Sequence, residues 1–213
     1  MNQSHTVEAT RKVAEDIPGY DYGSPNVAKS PITIKELEEL KQSTGFTQED
    51  ERWLHVAGEV LVDHTKELVE KWRAVIASHP HLARYSQRRD GQKDPHYSEA
   101  TGLRFQQWVL DTCLRPYDQD WLNYQQEIAL RHTSVKKNKT DNVQSAPTIH
   151  LRDVVAFTAV INDPDIIKPF LGVKGHSAQE VDKMHQAWCK SLLLQIALWT
   201  EPYTNTRVAP NEW

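Results

Sequence analysis

Residues 118–132 read DQDWLNYQQEIALRH, and this stretch is the strongest fold signal in the chain. Its large apolar residues Trp121, Tyr124 and Ile128 recur at helical spacing, and His132 follows four residues after Ile128 on the same face. A histidine that ends an apolar stripe directs its ring into an apolar interior, where the ring needs a hydrogen-bond partner or a ligand. Two interpretations follow: a hydrogen-bonded core histidine or a metal ligand.

The rest of the chain continues the helical pattern. No segment shows sustained alternation with a period of two residues, so the sequence predicts an all-α fold without a sheet. Capping boxes, prolines and apolar periodicity set the expected helix limits. The predicted helices cover residues 33–43, 47–79 with a bend near Gly58, 98–114, 118–133, 149–161, 166–171 and 177–200.

The N-terminal segment has a different character. Residues 1–32 are punctuated by Ser, Asn, Gly and Pro, which is typical of an extended arm rather than a packed helix. The two tyrosines Tyr20 and Tyr22 suggest that this arm lies against the protein. We therefore expect an arm over residues 1–32 and one helical domain over residues 33–213.

Composition excludes several classes of function. A net charge of −4 and a pI near 6.2 over 213 residues give no reason to expect binding to nucleic acid or to an anionic membrane. The N-terminus lacks an apolar signal core, and the most apolar stretch, 192–199, is too short to cross a bilayer. These features predict a cytoplasmic protein. The basic run Lys136, Lys137 and Lys139 is expected to be a solvated loop.

The last predicted helix indicates self-association. Between residues 192 and 199 it is apolar almost all round, more than a surface helix needs. Such a helix is either central to the fold or part of a homodimer interface, and we favour the interface.

Helices that carry aromatic residues and one inward histidine form a plausible haem site. A haem requires a wide apolar slot and one strong axial nitrogen, which the neutral imidazole of His132 offers to iron. The chain has no C-x-x-C-H motif, so a haem would be held without thioether bonds. Aromatic stripes are also typical of an ordinary core, and spacing alone leaves both interpretations open.

A series of motifs goes further than spacing. In chain order the motifs are IPGYDYG at 17–23, SHPHL at 78–82, RF..W.LDT at 104–112, Y.QEIALRH at 124–132, KKNKTDNV at 136–143, KPFL at 168–171 and QAW..S..LQ.ALW.EPY ending at Tyr203. Together they resemble the protoglobin family from about Ile17 to Tyr203. The resemblance implies a globin fold with an additional N-terminal helix, a deeply buried b-type haem and a homodimer formed partly through the last two helices. It also implies reversible binding of dioxygen, carbon monoxide and nitric oxide.

The resemblance assigns roles on the two sides of the haem. His132 matches the proximal iron ligand, and Trp72 and Phe105 match the two distal aromatic residues. The arm with its two tyrosines matches the segment that shields the haem.

Further residues match the walls of the haem slot. Phe157 and Ile161 match apolar lining residues, and Arg104 is placed where family members have an arginine near a propionate. Tyr124 shares its helix face with His132 and completes the set of candidate cofactor-binding residues.

The chain departs from the family pattern at two positions. Protoglobins typically follow the distal tryptophan with tyrosine, whereas this chain has Arg73. Over the iron, a fixed positive charge favours anionic ligands such as cyanide or nitrite. The alternative is that the side chain turns to solvent or to a propionate, because burying an unpaired guanidinium is costly. Where many relatives have a second histidine, this chain has Thr133.

Three functions compete on this basis. The first is a gas-binding haem protein, and the second is a haem enzyme with peroxidase, nitric oxide dioxygenase or nitrite reductase chemistry, which Arg73 favours. The third is a gas-sensing module, whose output partner would be a separate protein. The fold alone does not choose among them.

Overall fold

The computed structural model describes residues 17–204, and within that range the chain is all-α, as predicted. The described helices are α1 Ile34–Thr44, α2 Gln48–Leu61, α3 Thr65–Ser78, α4 Pro80–Ala83, α5 Pro95–Leu114, α6 Gln119–His132, α7 Leu151–Ile161, α8 Pro164–Leu171 and α9 Ala178–Trp199, followed by a 3₁₀ turn at Glu201–Tyr203. Two isolated bridges, Gln87 with Lys93 and Arg88 with Ser145, are the only β pairing in this range.

The helices begin where the sequence supplies a cap. Thr33 and Ser177 form capping boxes that open α1 and α9, and the Asp118 side chain accepts a hydrogen bond from the Trp121 N–H at the start of α6. Helices α5 and α8 begin earlier than predicted, because Pro95 and Pro164 occupy their first helical positions.

The prediction of one long helix over residues 47–79 is wrong. Residues 62–64 separate α2 from α3, and Asp63, a poor helix former, lies in the break. Gly58 does not bend the chain. It allows α2 to approach α5 closely, since a Cβ atom there would lie 2.5 Å from Leu114 Cδ2.

The core is centred on tryptophans between α3, α5, α6 and α9. Trp72, Trp121 and Trp188 are fully buried. The amide of buried Gln195 accepts a hydrogen bond from Trp108 Nε1 at 2.8 Å and donates to hydroxyl groups of α5 and α9, which satisfies a polar side chain inside the core.

The last long helix leaves one leucine open to solvent. Leu193 of α9 is 53% exposed, although its neighbours Leu192 and Leu194 are buried. Among residues 17–204, no helix is long and apolar enough to cross a membrane.

The described part of the arm, residues 17–32, lies on α5 and α6. Tyr20 and Tyr22 pack their rings against Tyr124, with centroid separations of 5.4 and 5.2 Å. The Tyr20 hydroxyl donates to the Asp111 carboxylate of α5 at 2.8 Å. The remaining arm residues, 1–16, lie outside the described part of the chain.

A buried carboxylate fixes the arm to α6. Glu127 is 1% exposed, and its oxygens accept hydrogen bonds from the Ala28 N–H, Arg131 and Lys136. Burial alone raises the pKa of the Glu127 carboxyl, but these donors outweigh burial and hold the pKa below its ordinary value. Arg131 also donates to Asp21 at 2.8 Å, so the cluster joins both elements.

Replacing Glu127 with glutamine tests this cluster. The change removes the buried negative charge that two half-buried cations, Arg131 and Lys136, share, and we expect the free energy of unfolding to fall by about 3 kcal/mol at neutral pH. Because the folded-state pKa lies below the ordinary 4.5, this contribution is present above about pH 4.5 and is lost as the pH falls through the folded value. Urea unfolding at several pH values measures it.

The control is Glu51→Gln, which removes a carboxylate that pairs with Lys41 at the surface. We expect a loss of less than about 1 kcal/mol for this variant. Equal losses in the two variants would show that the Glu127 cluster contributes no more than a surface pair.

Candidate functional site

A cavity of about 960 Å³ lies between α3, α5, α6, α7 and α9. Its size is at the upper end of the range for ligand and cofactor sites. Seven of the predicted site residues line it: Arg73, Arg104, Phe105, Tyr124, His132, Phe157 and Ile161. The fold therefore brings together side chains from four helices that are widely separated in sequence.

The imidazole of His132 projects from the end of α6 into the cavity wall. Its Nδ1 lies 2.8 Å from the backbone carbonyl of Ile128. A carbonyl oxygen only accepts, so Nδ1 carries the proton and Nε2 holds the lone pair. Among the described residues, Nε2 has no hydrogen-bond partner.

The surroundings of His132 keep the ring neutral and fix its plane. Burial lowers the pKa of the imidazole, and the positive charge of nearby Lys137 lowers it further. Trp199 stacks on the ring at 5.3 Å between centroids, and its Nε1 donates to Gln125 Oε1 at 2.8 Å. The sequence did not reveal this contact, because Trp199 is nearly seventy residues away in α9.

The two predicted distal aromatic residues occupy different layers. Phe105 lines the cavity, whereas Trp72 is fully buried and stacks between Phe105 and Trp188, at 5.4 and 6.0 Å. Trp72 Nε1 is buried without a partner among the described residues. Trp72 thus supports Phe105 from behind, and a direct distal role for Trp72 stays a prediction.

Arg73 lies on the cavity face of α3. Leu68 and Trp72 of this helix are buried in the core. Residues 66, 69, 70, 73 and 77 recur at helical spacing and line the cavity. The Arg73 guanidinium is half-buried and donates to the Ser98 carbonyl oxygen at 2.8 Å and to Ser98 Oγ at 2.7 Å. Burial lowers the pKa of this guanidinium.

Arg104 joins the cavity wall to the arm. Its guanidinium makes a bidentate pair with Asp141, with N–O distances of 2.9 and 2.7 Å, and it also donates to the Pro18 carbonyl. The residue after Pro18 must be glycine. Gly19 has a φ of +71°, and a Cβ atom there would lie 2.7 Å from Arg104 Nη1.

The prediction of a solvated basic loop is wrong for one of its three lysines. Lys139 is exposed, but Lys137 is 3% exposed and lines the cavity. Its Nζ donates to the Tyr85 carbonyl at 2.9 Å, to Ser145 Oγ at 3.3 Å and to the Tyr97 hydroxyl at 3.4 Å. Burial lowers the pKa of Lys137 to about 8.

The chain is similar to a known protein family. The family model described as Protoglobin matches residues 33–208, which is most of the chain and includes every cavity residue named above. No curated protein sequence matches the chain significantly.

The buried amine of Lys137 gives a testable pH dependence. Between pH 8 and 10.5 the unfolded chain holds a proton that folded Lys137 has lost, so the free energy of unfolding rises with pH across that interval. We expect the wild type to gain about 3 kcal/mol relative to Lys137→Met over this interval. Urea unfolding at both ends of the interval measures the gain.

Lys139→Met is the matched control, since that lysine belongs to the same run and is exposed. Its unfolding free energy is expected to follow the wild type at every pH. Parallel curves for wild type and Lys137→Met would contradict the burial of a titrating amine.

Proposed function

The chain belongs to the protoglobin family, and we propose that it holds a b-type haem in its cavity and reversibly binds dioxygen, carbon monoxide and nitric oxide at the haem iron, with His132 as the protein ligand. One observation carries this proposal. The cavity wall presents a neutral imidazole whose Nδ1 is occupied and whose Nε2 is free. That is the state in which histidine binds a metal.

The cavity walls offer partners for both the apolar macrocycle and the charged propionate groups of a haem. Phe105 of α5 and Phe157 of α7, with Ile196 of α9, offer apolar contacts for the macrocycle. Lys137 lines the same cavity and makes no ion pair with a carboxylate among the described residues. Such a cation is a suitable partner for a propionate group.

A haem bound in the cavity would supply an iron atom that binds small gaseous ligands. His132 would hold that iron through its Nε2 lone pair. The Ile128 carbonyl holds the Nδ1 proton, which fixes the tautomer and raises the basicity of the ring, while Trp199 restrains the ring plane. Phe105, which stacks on Trp72, would offer bound ligands an apolar wall of the same cavity.

The placement of Arg73 favours a second function on the same scaffold, the peroxidase, nitric oxide dioxygenase or nitrite reductase chemistry considered above. A cation on the cavity wall stabilises charge that develops on a reacting oxygen. Multiple turnovers with peroxide or nitrite, without loss of haem, would support an enzyme. A single stoichiometric reaction would favour the gas-binding function.

Absorption spectroscopy of purified protein, ferric, reduced and under carbon monoxide, tests the haem and its ligand. We expect an intense haem band in the wild type that shifts with carbon monoxide and is altered or lost in His132→Ala. His79→Ala is the control, because that histidine is exposed beyond the end of α3. A colourless, well-folded wild type after haem-replete expression would overturn the proposal.

We further propose that the protein is a homodimer that uses the exposed apolar positions at its last two helices, including Val173, 51% exposed, and Leu193, 53% exposed. Analytical ultracentrifugation of the wild type should give the mass of two chains. Leu193→Glu should give one chain, because it places a charge in the interface. Val135→Glu, an equally exposed position elsewhere, should stay dimeric, and a monomeric wild type would contradict the proposal.

A further inference from the structure

Arg73 stands at the middle of the cavity face of α3. The residues of this face are Lys66, Val69, Glu70, Arg73 and Ala77. Besides Arg73, the charged residues of this face are Lys66 and Glu70, and both are exposed. Arg73 is the half-buried member, and its charge is therefore the one that solvent screens least.

The guanidinium retains free donors. It has five N–H groups, and hydrogen bonds to the carbonyl and the hydroxyl of Ser98 use two of them. Both acceptors are neutral. Four acidic residues, Glu70, Glu99, Asp141 and Asp153, also line the cavity, yet none of them forms an ion pair with Arg73. Asp141 pairs instead with Arg104, and Asp153 pairs with Arg84. The positive charge is thus positioned but not neutralised by the described residues.

The absence of a side chain at position 102 gives this guanidinium its place. A Cβ atom on Gly102 would overlap Arg73 Nη1, so the guanidinium lies in the space that the glycine leaves on α5. Ser98 is one helical turn before Gly102, and Phe105 is almost one turn after it. The charge is therefore held next to the part of α5 that carries Phe105.

We propose that Arg73 makes the cavity selective for small anionic ligands, such as cyanide and nitrite, that bind at the haem iron. The inference rests on the proposed haem function and goes beyond it, since gas binding needs no such charge. An anion in the cavity takes the donors that Ser98 leaves free, so the guanidinium need not leave its tether. Neutral ligands gain no equivalent interaction.

The test compares ligand binding in holoprotein variants. For Arg73→Met we expect the affinity of the ferric protein for cyanide to fall roughly tenfold. This is the effect expected from the loss of one hydrogen bond to a charged group. Carbon monoxide affinity of the reduced protein should change little. The infrared stretch of bound carbon monoxide should move to higher wavenumber, because a positive charge beside the ligand has been removed. Arg73→Lys keeps the charge and should recover most of the cyanide affinity.

Lys66→Met is the matched control, because it removes a cation from the same helix face at an exposed position. Its cyanide affinity should equal that of the wild type. Equal losses in Lys66→Met and Arg73→Met would show a general charge effect and overturn a specific role for Arg73.

A second measurement distinguishes a role of Arg73 in binding anionic ligands from a role in binding the haem propionates. Haem release to an acceptor apoglobin should be equally slow in wild type and Arg73→Met. Faster release with unchanged cyanide affinity would assign the guanidinium to a propionate and overturn the proposal. Haem-containing variants with identical cyanide affinities would also overturn it while leaving the haem function intact. A chain that takes up no haem overturns both.

Discussion

The hydrogen bond from His132 Nδ1 to the Ile128 carbonyl sets the chemistry of the cavity. It holds the proton on one ring nitrogen and leaves the other with a lone pair at the wall of an apolar space. Burial favours the neutral ring, and the stacked Trp199 fixes its plane. His132 is the one histidine among the described residues that line the cavity, so this arrangement supplies the imidazole ligand that the site has to offer.

Helix α6 carries that histidine, and the surrounding structure holds the helix on two sides. On one side, the arm is joined to Glu127 through the Ala28 N–H and to Arg131 through an ion pair with Asp21. At its end, the Tyr203 hydroxyl and the Ile149 N–H donate to the His132 carbonyl. The arm therefore restrains the helix that presents the imidazole, and Arg104 joins the same arm to the cavity wall.

Local sequence rules predicted most helices, because caps and prolines act within one turn. They failed where tertiary packing decides. Gly58 looks like a hinge but allows two helices to meet, and Lys137 and Lys139 are alike in sequence although only Lys137 is buried. Periodicity placed His132 on an inner face, and the resemblance supplied most other site residues. The Trp199 stack and the Ser98 tether of Arg73 depend on contacts between distant helices, which one sequence does not encode locally.

Resonance Raman spectroscopy of the reduced holoprotein detects an iron–histidine bond through its stretching band. If His132 binds the iron, one such band shifts when histidine is labelled with ¹⁵N, is absent from His132→Gly and returns with added imidazole. An unchanged, isotope-sensitive band in His132→Gly would show that another histidine binds the iron. That result would return His132 to the role of a hydrogen-bonded core residue.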